Sequence, residues 1–352
     1  MKKKIFFLIM LLCIFITGCF GGDKNDVVKN LEKKYNNLKS YKLTGDLQII
    51  NNDDIYNYDV KVIYQKKDKF NVILKNKSNN HEQIILKNED GVYVLTPSLN
   101  KSFKFQSDWP YNNSQTYLIS SIINDILDDE DRSIVEDENN YLITTNVNYP
   151  NNRKLVKQIV KLDKDYNLKE VKVVDENGVE QMKMTFTTIE TNQKVDANTF
   201  NLDDIMGNNQ TSPTPTPDNN NTCTTGNCND NTSTNLETST LEDTIYPLYI
   251  PTGTKLSSEE KIDKNNGERI IMTFEGEKPF LLVEETSSVE EEFSIIPTYG
   301  EPYLLIDTVG ALTDSSITWS SNGIDYYIVS DVMSQDELVD IARSINVVPN
   351  SK

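Results

Sequence analysis

A chain of 352 residues with 35 Lys and Arg against 54 Asp and Glu carries a formal charge of −19 at neutral pH. That sign excludes a general nucleic-acid binder, whose phosphates must be met by Lys and Arg, and gives no attraction to anionic lipid. With 37% hydrophobic and 25% charged residues the chain can nevertheless build a core, and its length suggests two domains.

Residues 1–18 have the layout of a secretory signal: Met1-Lys2-Lys3-Lys4, then an apolar run from Ile5 to Ile16. That run is shorter than the about 20 apolar residues a spanning helix needs. It ends in Ile16-Thr17-Gly18-Cys19, which resembles the bacterial lipobox. The expectation is cleavage before Cys19 and a diacylglyceryl thioether on its sulfur, with residues 19–22 as a short leash. Each buried CH2 contributes about 0.8 kcal/mol, and two acyl chains hold a protein that one would release. The expected location is the extracytoplasmic face of the cell membrane, held there by the lipid anchor.

Residues 23–206 form the first expected domain. Val27, Val28, Leu31, Tyr35 and Leu38 recur at helical steps. The period then becomes two: Tyr41, Leu43, Leu47 and Ile49 alternate with polar residues, as do Tyr56 to Tyr64 and Phe70 to Leu74. Asp90-Gly91 and Asn177-Gly178 read as hairpin turns. Alternation resumes from Tyr141, Leu155, Leu168 and Gln181, interrupted by one helical stripe of Leu118, Ile119, Ile122, Ile123, Ile126 and Leu127. The sum is a large antiparallel sheet, obliged to curve, with helices on one face.

From 207 to 240 the chain is rich in Asn, Thr, Ser and Pro, and reads as a linker. Within it Cys223 and Cys228 are spaced as Cys-Thr-Thr-Gly-Asn-Cys, open to a small disulfide loop or to two separate thiols. Residues 241–352 read as a smaller, acidic α+β domain. Ser334 to Glu337 is a capping box, Leu338, Ile341, Ala342 and Ile345 make a helix face, and Asn322-Gly323 is a turn.

Catalytic constellations are missing. The single histidine, His81, reads as an exposed strand residue and excludes Ser-His-Asp chemistry or a His-pair zinc site. No Gly-x-Ser-x-Gly and no Gly-rich phosphate loop is present. The acidic runs Asp128 to Asp131 and Glu290 to Glu292 are consecutive, the mark of solvated turns rather than of paired catalytic carboxylates. Accordingly no enzyme activity, no cofactor and no metal is expected.

The order helix, strands, "EDGVYVLTPSLNKSFKF" (Glu89 to Phe105), helix "QTYLISSIINDIL" (Gln115 to Leu127), strands and "VDANTFNL" (Val195 to Leu202) resembles the superfamily of lipoprotein carriers LolA and LolB. The resemblance implies an α+β fold: an open, curved antiparallel β-sheet, a half-barrel wrapped around helices, with an apolar cavity for acyl chains. The stretch Ile317 to Ile345 is similar to a domain of unassigned activity common in spore-forming bacteria. Together the parts resemble sporulation and germination lipoproteins. That implies a non-enzymatic protein binding a hydrophobic ligand, an acylated protein or a partner. The alternative is a structural regulator that docks a cell-wall (cortex) amidase or hydrolase and carries no lipid. In such a sheet Tyr93, Phe103, Phe105, Trp109 and Tyr117 are candidates for the ligand or partner surface, with plain core as the competing role.

Overall fold

The computed structural model describes residues 24–51, 54–150, 152–209, 241, 244–264 and 267–345. Cys19, Cys223 and Cys228 lie outside the described residues.

Two sheets carry the fold. The first takes eleven strands from the first half of the chain. They are β1 (Ser40–Asn51), β2 (Asp54–Gln65), β3 (Lys69–Asn76), β4 (Glu82–Asn88), β5 (Gly91–Thr96), β6 (Lys101–Phe105), β7 (Ser133–Glu136), β8 (Asn140–Asn146), β9 (Lys157–Asp163), β10 (Leu168–Val174) and β11 (Glu180–Thr191). The second sheet uses β12 (Thr254–Lys264), β13 (Gly267–Gly276), β14 (Phe280–Thr286), β16 (Glu301–Leu304), β17 (Val309–Leu312), β18 (Ser316–Ser321) and β19 (Ile324–Val329). Between β14 and β16 the chain crosses back, and β15 (Ser294–Thr298) joins the first sheet beside β6.

The first sheet runs β15-β6-β5-β4-β3-β2-β1-β11-β10-β9-β8-β7. Its two ends do not meet, so it is an open sheet, antiparallel everywhere except at the β15–β6 pair. Laid flat, twelve strands at about 4.8 Å spacing would extend roughly 50 Å. Instead Phe105 of β6, Leu47 of β1 and Ile143 of β8 belong to one connected core. The sheet therefore curls around what fills its inner face.

Two helices fill one side of that hollow, α1 (Lys24–Tyr35) and α2 (Ile119–Asp128). Their apolar faces follow the expected spacing: Val27, Val28 and Leu31 on α1, and Ile119, Ile122, Ile123 and Ile126 on α2, are all buried. Strand alternation supplies the wall, with Leu43 paired to Val62 and Leu47 to Tyr58 across β1 and β2. The outer face is partly covered by the turn Ala197–Phe200 and by α3 (Leu202–Asn209), whose Met206 packs with Leu86, Tyr93 and Leu95.

The second sheet runs β12-β13-β14-β19-β18-β17-β16, and α4 (Gln335–Arg343) lies against β18 and β19. The capping box is present in both directions, with Ser334 and Glu337 each satisfying the other's backbone N–H. The two halves are in contact: Val309 and Ala311 of β17 sit in the core of the first sheet, and the Lys154 ammonium is 2.9 Å from Asp340 of α4.

Candidate functional site

The inner face of the first sheet has two occupants. The helices take the side near β1 and β7 to β11; the side built from β2 to β6 is closed by the second half of the chain. Tyr58 on β2 donates its hydroxyl to the Ile306 carbonyl at 2.6 Å. Gln83 on β4 accepts the Val309 N–H at 2.5 Å and the Thr308 hydroxyl at 3.1 Å, and its own amide reaches the Val309 carbonyl at 3.4 Å. These bonds seat the turn before β17 in the hollow.

Between the sheet and this cover lies a cavity of about 240 Å3. The strand register explains its floor: Val94 pairs with Phe103 and Thr96 with Lys101, so Lys101, Phe103 and Phe105 share the inward parity of β6. The parallel strand β15 sets Ile296 beside Phe103. Val309, Ala311 and Trp319 form the roof, and Tyr327, 38% exposed, stands at the mouth. Trp319 is held from behind by Tyr326, stacked on it at 4.9 Å.

One charged pair joins the neutral polar side chains Gln83, Thr96, Thr298, Thr318 and Ser320 in this lining. The Lys101 side chain is only 7% exposed, and its ammonium lies 3.7 Å from a carboxylate oxygen of Asp325, itself 15% exposed. The other Asp325 oxygen accepts the hydroxyls of Ser287 at 2.6 Å and Ser320 at 2.5 Å. Hydroxyl donors thus hold the carboxylate in place, whereas the ammonium is held by charge alone.

The five aromatic candidates separate. Phe103 and Phe105 line the cavity. Tyr93 has the opposite parity and is buried on the outer face under Lys104, whose ammonium is 5.4 Å from its ring. Trp109 is core, edge-on to Phe70 at 5.8 Å. Tyr117 borders a separate void of about 40 Å3 with Tyr149 and Tyr303, where burial pushes its phenol well above the ordinary value. The cavity residues that composition did not single out include Lys101, Ile296, Trp319 and Asp325. A signal existed for the first: Lys101 is a charged residue on the inward phase of an alternating strand.

His81 is not the exposed strand residue expected from its neighbours. It precedes β4, is half-buried, and its Nε2 makes no hydrogen bond. Burial pushes the imidazole below its ordinary value, and Asp307 from the second half of the chain pulls it the other way.

A second hollow, of about 420 Å3, opens beside α2 and is polar, lined by Ser114, Asn124, Asp125, Asp128 and Asn146 among others. Among its lining groups Asp125 accepts from the Ser114 hydroxyl at 3.0 Å and the Gln158 amide at 3.1 Å. Burial pushes its carboxyl up to about 7.

The described residues thus form an open sheet curled around two helices, with a cavity between its inner face and the second half of the chain. In sequence the chain is 34% identical over 351 residues to the sporulation protein YdcC of Bacillus subtilis, an alignment covering 98% of each. It belongs to the family of that sporulation protein. No family model matches the chain. Among solved structures, a chain from the Pseudomonas aeruginosa MucA/MucB complex is aligned over 97% of its own length and 90% of this one, at 11% identity and a TM-score of 0.32. A LolA superfamily protein from Nitrosomonas europaea is aligned over 99% of its length and 52% of this chain, at 10% identity and a TM-score of 0.30.

Proposed function

We propose that this chain is a membrane-tethered, non-enzymatic binding protein of sporulation that holds one apolar group of its ligand or partner in the cavity between the two sheets. The cavity carries this reading: Val94, Phe103, Ile296 and Trp319 converge on about 240 Å3. That volume lies below the roughly 300–1,000 Å3 usual for small-molecule sites, which suits a single chain or side chain rather than a bundle of acyl chains. The proposed tether, and with it the extracytoplasmic face of the membrane as the location, rests on Cys19 after Gly18.

Native mass spectrometry of protein extracted from membranes tests the cavity. A retained apolar adduct at one per chain is expected, lost in Ala311→Trp, which fills the roof. An adduct unaffected by that substitution overturns the assignment. For the tether, Cys19→Ala is expected to leave the membrane fraction while keeping its fold; a variant still found in membranes refutes the anchor.

One observation favours a second reading. Because the second half occupies much of the inner face, the protein also suits a regulator that docks a cell-wall amidase or hydrolase on its outer surfaces. Purification with such an enzyme and without bound lipid distinguishes this reading from the first.

A further inference from the structure

The reading of the cavity as a binding site leaves open which ligands it prefers, and Lys101 addresses that question. Its side chain is more than nine-tenths buried and borders the cavity, yet its ammonium makes no hydrogen bond to any described residue. An ammonium carries three donors, and those of Lys101 border the cavity, where an acceptor on a ligand can take them. Its charge, in contrast, already has a partner in Asp325 at 3.7 Å. The site therefore lacks an acceptor rather than a counter-charge. A ligand carboxylate would leave a net negative charge beside the largely buried Asp325 carboxylate, where an uncompensated ion is penalised. A neutral carbonyl oxygen satisfies the ammonium and leaves the charges balanced.

We infer that the cavity selects a short apolar chain bearing an uncharged carbonyl, an ester or an amide, with Lys101 donating to the carbonyl oxygen and Asp325 excluding anionic heads. This rests on the cavity reading proposed above. At about 30 Å3 per water-sized group, the 240 Å3 available takes roughly eight such groups.

Trp319 in the roof provides the readout, being one of two tryptophans in the chain, the other buried in the core. Three bromine-tipped chains of equal length, a methyl ester, an N-methyl amide and a carboxylate, are titrated at pH 8 against the full chain together with a bromoalkane, and quenching of Trp319 is followed. The ester and amide are expected to bind about tenfold more tightly than the carboxylate and the bromoalkane. Lys101→Met is expected to reduce ester and amide to the level of the bromoalkane, and Asp325→Asn to make the carboxylate the tightest of the four. Equal binding of all four by the wild-type chain overturns the selection but leaves the cavity reading standing, and so does a carboxylate preferred by the wild-type chain. Quenching by none of the probes overturns the cavity reading itself. Should Lys101→Met fail to fold, the wild-type comparison alone still decides.

Discussion

Tyr58 and Ile306, 248 positions apart in the chain, are joined by a buried 2.6 Å hydrogen bond from phenol to main-chain carbonyl. Through it the first sheet grips the turn that closes its own hollow. Tyr58→Phe keeps the ring and removes the donor, leaving that carbonyl without its buried partner. We expect a loss of about 1–3 kcal/mol in urea denaturation and faster amide exchange at Leu305 to Val309. Unchanged exchange in this turn would show that the bond does not hold the cover.

Gln83 grips the same turn from β4, through Val309 and Thr308. Gln83→Leu strands the Val309 N–H and is expected to cost about 1–3 kcal/mol by the same reasoning. Because both residues restrain one segment, the double variant should lose less than the two single losses added. Strict additivity in a double-mutant cycle would mean the two bonds act independently.

Stability should depend on pH through two buried carboxyls. Asp125 and Glu284 are both pushed up to about 7 by burial, from 3.8 and 4.5. Glu284 accepts the Ile245 N–H at 3.1 Å with one oxygen, while the other has no partner. These acids hold their protons more tightly folded than unfolded. Below about pH 4 both states are protonated and nothing is gained or lost. As the pH climbs from about 4 to 7 the unfolded chain ionises first, so the folded state loses ground, and above 7 the loss is constant. Asp125→Asn and Glu284→Gln should therefore stabilise the fold at pH 7.5 and not at pH 3.5, by at most a few kcal/mol each, read as a higher melting temperature at the upper pH alone. A gain independent of pH would point to some cause other than ionisation.

Gly45 lies at the irregular step where β1 slips against β11. A Cβ built there lands on the Thr185 carbonyl oxygen and the Met184 side chain. Gly45→Ala should cost about 1–3 kcal/mol, the usual range for forcing extra volume into a packed site. Wild-type thermal stability in this variant would show that the strand pair can shift to make room.

Much of this architecture was legible in local patterns. Alternation on β1 and β2 sent Leu43, Leu47 and Val62 inward, and the isoleucine stripe of α2 is buried as its spacing requires. Asn322 and Gly323 both have the positive φ that their turn demands. What escaped was created by distant segments. β15 is five residues long and contains a proline, too little for a periodic signal. Phe103, Tyr93 and Trp109 looked alike as aromatics near one another in sequence. Parity and the arrival of β17 put the first in a cavity, the second on the outer face and the third in the core. His81 is covered for the same reason, by a second half that its own neighbours do not announce.

The pairing of β15 with β6 has a consequence for how the molecule is made. The approach to it is fastened by the Asn100 amide on the Glu290 carbonyl at 2.9 Å, 190 residues away. A chain synthesised from its N-terminus therefore presents β6 as a bare strand edge, a template for aggregation, until the remote segment arrives. Once docked, β15 directs the Ser294 N–H at the Asn100 carbonyl, so by alternation the position lacking an N–H, Pro297, falls on the free side. The second half thus closes the open edge of the first sheet with a strand whose own free side carries a proline and resists further growth.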